Sequence, residues 1–191
     1  MTPIRSSPHD LHLRALAVYR ERATAILAQW DLYTTRNPDA DSLAYGLRQR
    51  VRDAETWREF TRIAPLTDAL LQRAEHQLSQ LSGHREQRRW RGQLGRLDAA
   101  NRGLRQLRHE WRQTRTALPH TARPGTEEYD EPIAERNADA WGYLDEWTLL
   151  STALAEIDAA ARAQSGTPFT ARGLTQAAPA PPATAGAPRR R

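Results

Sequence analysis

Residues 140–161 read AWGYLDEWTLLSTALAEIDAAA, and this stretch decides the fold. Its apolar side chains recur at alternating spacings of three and four residues, in the series Ala140, Tyr143, Trp147, Leu150, Leu154, Ile157 and Ala161. This spacing places them along one stripe of an α-helix, whereas a half-buried strand would need strict alternation. Trp141 and Leu144 widen the stripe. The segment therefore predicts a long helix packed against other helices.

Three further segments carry the same kind of stripe. The first helix has the seam Leu16, Tyr19, Ala23, Ile26, Trp30 and Tyr33. The second has Leu43, Leu47, Val51, Ala54, Trp57, Phe60 and Ala64, and it resumes with Leu66, Leu70, Ala74, Leu78 and Leu81. The third has Leu97, Ala100, Leu104, Leu107, Trp111, Thr114 and Leu118. We expect an all-α fold in which these stripes meet in an elongated, antiparallel bundle of about four helices.

Caps and prolines set the expected helix boundaries. Ser7 followed by Pro8 is typical of a helix start, and residues 37–39 repeat that signal. Pro65 lacks an amide hydrogen and disfavours helix at Ala64, so we expect a kink or a short break in the second helix there. Gly83 should end it, the third helix should span 84–118, and Pro132 should open the fourth.

The chain divides into three parts by composition. Residues 1–6 form a loose N-terminus, and residues 7–164 form the helical bundle domain. Residues 165–191 are rich in Ala and Pro and end in three arginines. This last segment buries too little apolar area to offset the entropy of ordering it, so we expect a disordered tail with a basic end.

Charge is distributed unevenly along the chain. All 28 basic residues are arginine, and the net charge of the 191 residues is +5. Residues 84–118 carry a net charge of +7, and residues 119–164 carry −7. One interpretation is a structural role, in which the basic third helix and the acidic fourth segment attract each other as an antiparallel hairpin. The alternative is that the basic helix is a surface for nucleic acid, where arginine contacts phosphate.

Several classes of site are missing from the sequence. The absence of cysteine excludes disulfides, thiolate metal sites and cysteine nucleophiles, and the absence of lysine excludes Schiff-base and phosphate-loop lysines. His9 and His12 lie one helical turn apart, but we interpret them as surface histidines rather than as metal ligands. Asn101 lies next to the stripe of the third helix; we expect it at the helix edge, bonded to water, and the alternative is a buried asparagine that sets the register of the helices. The helix-interior glycines 92, 95 and 103 should weaken the third helix unless helices approach closely there. We assign no catalytic, cofactor-binding or metal-binding residues and no cofactor.

The sequence shows no membrane span or export signal, so we expect a cytoplasmic protein with no membrane partner. The first functional hypothesis is a non-enzymatic helical scaffold or protein-interaction module, with an unidentified protein or a second copy as its partner. The alternative is a nucleic-acid-binding accessory protein that uses the basic tail and the arginines Arg88, Arg89, Arg91, Arg105, Arg108 and Arg112.

Overall fold

A computed structural model describes residues 7–81, 83 and 85–166. Over this part of the chain, the regular structure consists of six α-helices and contains no strand. Their bounds are α1 Pro8–Arg36, α2 Leu43–Ile63, α3 Thr67–Gln80, α4 Gln87–Ala117, α5 Glu127–Leu150 and α6 Thr152–Gly166. The all-α prediction is confirmed at this level. The predicted loose N-terminus and all but the first two residues of the predicted tail lie outside the described residues.

The first helix begins as its sequence predicts. The Ser7 side chain accepts a hydrogen bond from the Asp10 amide at 3.1 Å, and the Asp10 carboxylate accepts one from the Ser7 amide at 2.9 Å. These reciprocal bonds satisfy donors that a helix start leaves without partners. Pro8 occupies the first helical position, where the missing amide hydrogen costs nothing.

At Pro65 the structure has the short break, rather than the kink, of the two alternatives expected from the sequence. Residues 64–66 form a turn that separates α2 from α3. The Thr67 hydroxyl donates to the Ala64 carbonyl at 3.0 Å across this turn. The predicted second helix is therefore two helices, because proline removes a backbone donor and restricts the residue before it.

The predicted fourth helix differs at its start and in its middle. It begins at Glu127 rather than at Pro132, which lies inside α5. Glu127 and two further acidic residues occupy the first turn. Their negative charges stabilise the helix, because they lie at the positive end of the helix dipole. The helix also breaks at Ser151, three residues after Thr148, whose hydroxyl donates back to the Leu144 carbonyl at 2.9 Å. Such back-bonding competes with helical hydrogen bonds and bends helices.

Contacts between named rings and ion pairs give the relative directions of neighbouring helices. Trp30 lies 5.0 Å from Tyr45, and Tyr19 lies 5.9 Å from Phe60, measured between ring centroids. Because the residue numbers rise on α1 as they fall on α2, the two helices run in opposite directions. The same holds for α4 and α5, where Trp111 contacts Tyr129 and Arg96 bonds to Glu146.

Most of the predicted stripes enter one core. Its largest fully buried side chains come from all six helices and include Tyr19, Phe60, Leu70, Leu97, Leu104, Leu144, Trp147, Leu154 and Ile157. The core is therefore assembled along the whole length of the described chain, and no helix stands apart from it.

The first half of α2 contradicts the prediction. Its expected core residues Leu43, Leu47, Val51 and Ala54 are exposed. The buried face instead carries Arg52, with its guanidinium 4.4 Å from the Trp30 ring centroid and 3.6 Å from that of Trp141. The two rings and Asp53, bonded to Arg52 at 2.6 Å, compensate the buried charge. The apolar residues consequently face outwards.

Asn101 does not lie at the helix edge, as preferred from the sequence, but is buried, as in the alternative. Its Oδ1 lies 2.9 Å from the Thr67 hydroxyl, whose one hydrogen it shares with the Ala64 carbonyl, and its Nδ2 donates to Asp68 at 2.6 Å. These bonds join the middle of α4 to the start of α3. A buried and satisfied amide at this position favours one register of the two helices over others.

Candidate functional site

Helix α4 carries the six arginines that the sequence proposes for nucleic-acid binding: Arg88, Arg89, Arg91, Arg105, Arg108 and Arg112. The structure brings them together as two groups rather than as one continuous basic face. The first group lies near the start of the helix and the second in its last four turns.

The first group is partly neutralised. Arg89 bonds to Glu156 of α6 at 2.6 Å and to Glu86 at 2.7 Å. Arg88 and Arg91 are exposed and have no carboxylate partner among the described residues. Trp90 between them is buried, and its indole donates to Glu156 at 2.8 Å. This ring is therefore not available to stack on a base.

The second group is a cluster of three guanidinium groups with one carboxylate. Arg105 bonds to Asp68 at 2.6 Å. Burial lowers the pKa of Arg108, and the positive charges of Arg112 and Arg105 lower it further. The buried Nε of Arg108 has no hydrogen-bond partner. Positive charge is thus concentrated here beyond what the neighbouring acid compensates.

The acidic segment neutralises basic residues on more than one helix. Its Glu146 bonds to Arg96 of α4, and its Glu131 bonds to Arg50 of α2 at 2.6 Å and 2.9 Å. The charge pattern therefore acts within the fold, as the structural interpretation predicts for α4. The bidentate contact with α2 was not predicted, because the charge sums of two neighbouring segments say nothing about a third.

An exposed apolar surface lies on the first two helices. We define the α1–α2 apolar face as Leu11, Val18, Ala25 and Leu32 of α1 with Leu43, Leu47 and Val51 of α2, all of which are exposed. In the sequence, Leu11 and Val18 are apolar residues that lie outside the Leu16 seam of the first helix. The sequence did not indicate the α2 part, because that part was assigned to the core.

A buried polar cluster lies at the start of α1, where His9 meets Asp158 of α6. His9 Nε2 lies 3.1 Å from Asp158 Oδ1, so the histidine bonds to α6 and is not a simple surface residue. Asp158 also accepts from Gln77 at 2.7 Å and from Arg162 at 2.7 Å. Asp158 directly follows Ile157 of the apolar stripe, and a carboxylate so close to a core position is the one signal that could have drawn attention to it.

Metal and membrane features were searched over the described residues. They contain no group of three or more His, Asp or Glu side chains arranged to hold a metal ion. No helix among them combines the length and the apolar character that crossing a bilayer requires. Comparison with known proteins gave no matching family model, no similar curated protein and no similar solved structure.

Proposed function

We propose that the protein is a non-enzymatic helical interaction module of the cytoplasm that pairs with a second copy of itself through the α1–α2 apolar face. In this proposal the six helices form the elongated antiparallel bundle expected from the sequence, and the face stays outside its core. The observation that carries the proposal is the exposure of large apolar side chains at regular helical spacing on both helices.

On α1 the spacing is seven residues. Leu11, Val18 and Leu32 are 54%, 48% and 52% exposed, and Ala25 occupies the remaining place in the series. A seven-residue repeat is the spacing with which one helix packs along another. The intramolecular contacts of α1 use a different stripe, which includes Leu16, Tyr19 and Ala23.

On α2 the spacing is four residues. Leu43 is 81% exposed, and Leu47 and Val51 follow on the same side of the helix. The helix directs Tyr45 towards α1 and Phe60 towards Trp147 of α5. The Leu43 series lies on neither of these contact sides.

The two series lie on the same side of the helix pair. A helix turns by about 100° per residue, so positions around each axis follow from the residues that contact α1, α2 and α5. Counted in this way, the α1 series and Leu47 and Val51 of α2 lie on the side of the α1–α2 pair that faces away from α5. Leu43 lies at the edge of this side, about 20° around the helix from Arg50, which bonds to Glu131 of α5. Apolar patches that are continuous across two helices mark interaction sites in soluble proteins.

A second copy is the occupant that fits the α1 series. If two α1 helices cross in opposite directions, Leu11 lies opposite Leu32 of the second copy, and Val18 lies opposite Ala25. Both ends of such a contact are the same by symmetry, and each pairs two leucines. This self-complementarity is the requirement for a two-fold interface, which is the commonest in homo-oligomers.

The test is the molar mass in solution over a wide concentration range, measured by light scattering on the full chain. We expect the wild-type protein to form a dimer that dissociates on dilution. Leu32→Glu and Leu47→Glu should shift it to a monomer, because each places a charge in the interface. Leu149→Glu is the matched control, because Leu149 is an exposed leucine on α5 outside the face. A wild-type protein that stays monomeric, or a control that dissociates as much as the two variants, would contradict the proposal.

Nucleic-acid binding is the second candidate, and the Arg105, Arg108 and Arg112 cluster favours it. These three guanidinium groups have one carboxylate near them, so a phosphate would relieve their mutual repulsion. Arg88 and Arg91 would add contacts at the other end of the helix. The proposal needs this binding to use phosphates rather than base stacking, since Trp90 is buried.

Fluorescence anisotropy of labelled single- and double-stranded DNA tests this second candidate. We expect Arg108→Gln with Arg112→Gln to weaken binding and to reduce its dependence on salt. Arg14→Gln with Arg20→Gln removes two charges from α1 and is the control for net charge. Equal losses in the two double variants would show that binding follows net charge and not the cluster.

A further inference from the structure

The two halves of the described chain repeat one order of helices. Helices α1, α2 and α3 have 29, 21 and 14 residues, and α4, α5 and α6 have 31, 24 and 15. In each half a long helix is followed by a loop, a helix of intermediate length, a break and a short helix. The starts of α2 and α5 lie 84 positions apart, and so do their N-cap residues, Ser42 and Thr126. The halves can therefore be aligned from these starts.

A short motif occurs at the same place in both halves. Residues 52–57 of α2 read RDAETW, and residues 136–141 of α5 read RNADAW. The two stretches share Arg, Ala and Trp, and their second place holds an acid in one and an amide in the other. The shift between them is again 84 positions, and it also aligns Tyr45 with Tyr129. The alignment of the helix starts is thus supported by the residues inside the helices.

The long first helices align as well. The loop between α1 and α2 has six residues, 37–42, and the loop between α4 and α5 has nine, 118–126, so the shift between α1 and α4 is 81 positions. This shift aligns Trp30 with Trp111. Trp30 lies edge-on to Tyr45 with ring centroids 5.0 Å apart, and Trp111 lies edge-on to Tyr129 at 5.8 Å. The aligned residues therefore make equivalent contacts in the two halves.

The second and third helices of each half lie side by side and run in the same direction. Helix α2 packs against α5, and α3 packs against α6. The contacting residues are between 81 and 87 positions apart: Arg50 with Glu131, Phe60 with Trp147, and Gln77 with Asp158. Because the numbers rise together, the two halves are parallel here and in register. A two-fold axis along the bundle relates helices placed in this way.

The contacts across this axis are reciprocal. The guanidinium of Arg52 lies 3.6 Å from the ring centroid of Trp141, and that of Arg136 lies 4.3 Å from the ring centroid of Trp57. Exchanging the two motifs turns the first contact into the second. Such an exchange, in which residue i contacts j and j contacts i, characterises a two-fold interface between identical subunits. The halves are therefore packed like the subunits of a homodimer.

The α1–α2 apolar face has an equivalent surface in the second half. The two shifts assign each of its seven residues one position on α4 or α5, and none of these positions is buried. The residues there are Gly92, Ala99, Gln106, Gln113, Glu127, Glu131 and Glu135.

No large apolar residue occupies this equivalent surface. Tyr143 and Leu149 are exposed on α5, but they align with Glu59 and Pro65, which lie outside the apolar face. The second half thus folds with polar and small residues where the first half has leucine and valine. Folding of the three-helix arrangement does not need apolar residues at these positions.

We infer that the chain consists of two copies of one three-helix unit, residues 8–80 and 87–166, and that only the first copy carries a face for a second molecule. The inference rests on the self-association proposed above. A carboxylate that faces an apolar surface loses its hydration without gaining a partner, so the three glutamates keep the second copy from associating. A molecule with one such face pairs once and closes as a dimer, whereas two equivalent faces would continue into an open chain.

Light scattering on the full chain tests the inference when the second copy is given the missing face. The triple variant Ala99→Val, Gln113→Leu and Glu135→Val places apolar residues on α4 and α5. These are the residues that the first copy carries at the equivalent positions Val18, Leu32 and Val51. We expect the wild-type protein to level off at the mass of two chains. The variant should exceed that mass, and its average mass should keep rising with concentration.

The matched control makes the same three kinds of change elsewhere. Ala69→Val, Gln72→Leu and Glu75→Val lie at exposed positions of α3, alter the net charge equally and should leave the mass at two chains. Circular dichroism of both variants confirms that they are folded.

The outcomes separate this inference from the proposed function. A variant that stays at two chains, beside a wild-type dimer, would overturn the equivalence of the two faces and leave the dimer intact. A control that grows as much as the variant would overturn the equivalence as well, because any added apolar residues would then suffice. A wild-type monomer would contradict the proposed function, and the inference with it.

Discussion

At the scale of single residues, the structure separates positions that look alike in the sequence. Gly92, Gly95 and Gly103 all lie in the interior of α4, yet only at Gly103 would a Cβ meet a neighbour, the Tyr143 ring. Arg52 and Arg136 each contact two tryptophan rings, but only Arg52 has a carboxylate, Asp53, bonded to it. The sequence cannot make these distinctions, because they depend on which helix lies opposite.

The glycines give a matched pair of variants. Gly95→Ala should raise the free energy of unfolding by about 1 kcal/mol, since a Cβ there meets nothing within 4 Å. Gly103→Ala should gain less, because its Cβ would come within 2.5 Å of the Tyr143 ring and the half-exposed ring would have to move. Urea denaturation measures both. Equal gains in the two variants would show that the close approach has no energetic consequence.

The arginines held between tryptophans give a second pair. Arg52→Met should cost about 3 kcal/mol, because it leaves the buried Asp53 carboxylate without its cation. Burial already raises the pKa of Asp53, and Arg52 opposes that rise. Arg136→Met should cost about 1 kcal/mol, because its partner is the neutral amide of Asn137 and burial lowers the pKa of Arg136 to about 10.

Chemical denaturation of the single variants tests this order. Asp53→Asn in the Arg52→Met background should recover part of the loss, because a neutral amide is less costly to bury than an unpaired carboxylate. A larger cost for Arg136→Met than for Arg52→Met would contradict the assignment.

At the scale of secondary-structure elements, local signals predicted more than packing signals did. The capped start of α1 and the interruption at Pro65 follow from backbone chemistry that the sequence displays directly. The start of α5 differs from the predicted start at Pro132, because three acidic side chains stabilise a turn of helix ahead of the proline. The exposure of Leu43, Leu47 and Val51 on α2 was not predicted. Apolar spacing alone does not show that Arg52, on the opposite side of the helix, packs against the rings of Trp30 in α1 and Trp141 in α5.

Ion pairs between elements make stability depend on pH. Arg162, followed by Ser7, holds the pKa of Asp10 well below its usual range, and Arg50 lowers the pKa of Glu131. A carboxylate with a lowered pKa in the folded state contributes stability that is complete above its unfolded pKa of about 4. That contribution is lost as the pH falls through the lowered folded value. We therefore expect stability to fall on acidification below about pH 5.

Arg50→Gln isolates one of these links. It should make the dependence of unfolding free energy on pH shallower in the acidic range, because the pKa of Glu131 returns towards its ordinary value. Arg91 has no carboxylate partner among the described residues. Arg91→Gln should therefore leave the slope of unfolding free energy against pH unchanged. The measurement is urea denaturation at a series of pH values. The same slope in wild type and Arg50→Gln would contradict the role given to this ion pair.

At the scale of the whole molecule, the distribution of charge was more informative than its total. The opposite charges of residues 84–118 and 119–164 predicted contacts that the structure shows at Arg89, Arg96, Glu146 and Glu156. The buried polar cluster around Asp158 could not be predicted, because it joins residues that are about 150 positions apart in the sequence, such as His9 and Asp158. Contacts between residues so far apart in the sequence can be identified only from the folded structure.

The two proposed functions respond to salt in opposite ways. Pairing through the α1–α2 apolar face buries apolar surface, so sodium sulfate should strengthen dimerisation. Binding of nucleic acid through the α4 arginines releases counterions, so its affinity should fall steeply as salt rises. Light scattering and anisotropy over the same salt series measure both. A dimer that dissociates as salt rises would show that charge, and not the apolar face, holds it together.

The two interrupted helices give the molecule an uneven stiffness. The chain is jointed at residues 64–66 and again at Ser151, whereas α1 and α4 are continuous. Helix α1 contacts both α2 and α3, and α4 contacts both α5 and α6. Each continuous helix therefore packs across the break between two shorter helices. Bending at residues 64–66 must therefore distort α1, and bending at Ser151 must distort α4. The α1–α2 apolar face runs along α1 from Leu11 to Leu32, and the His9–Asp158 contact lies at the start of the same helix, so this one continuous helix connects the two.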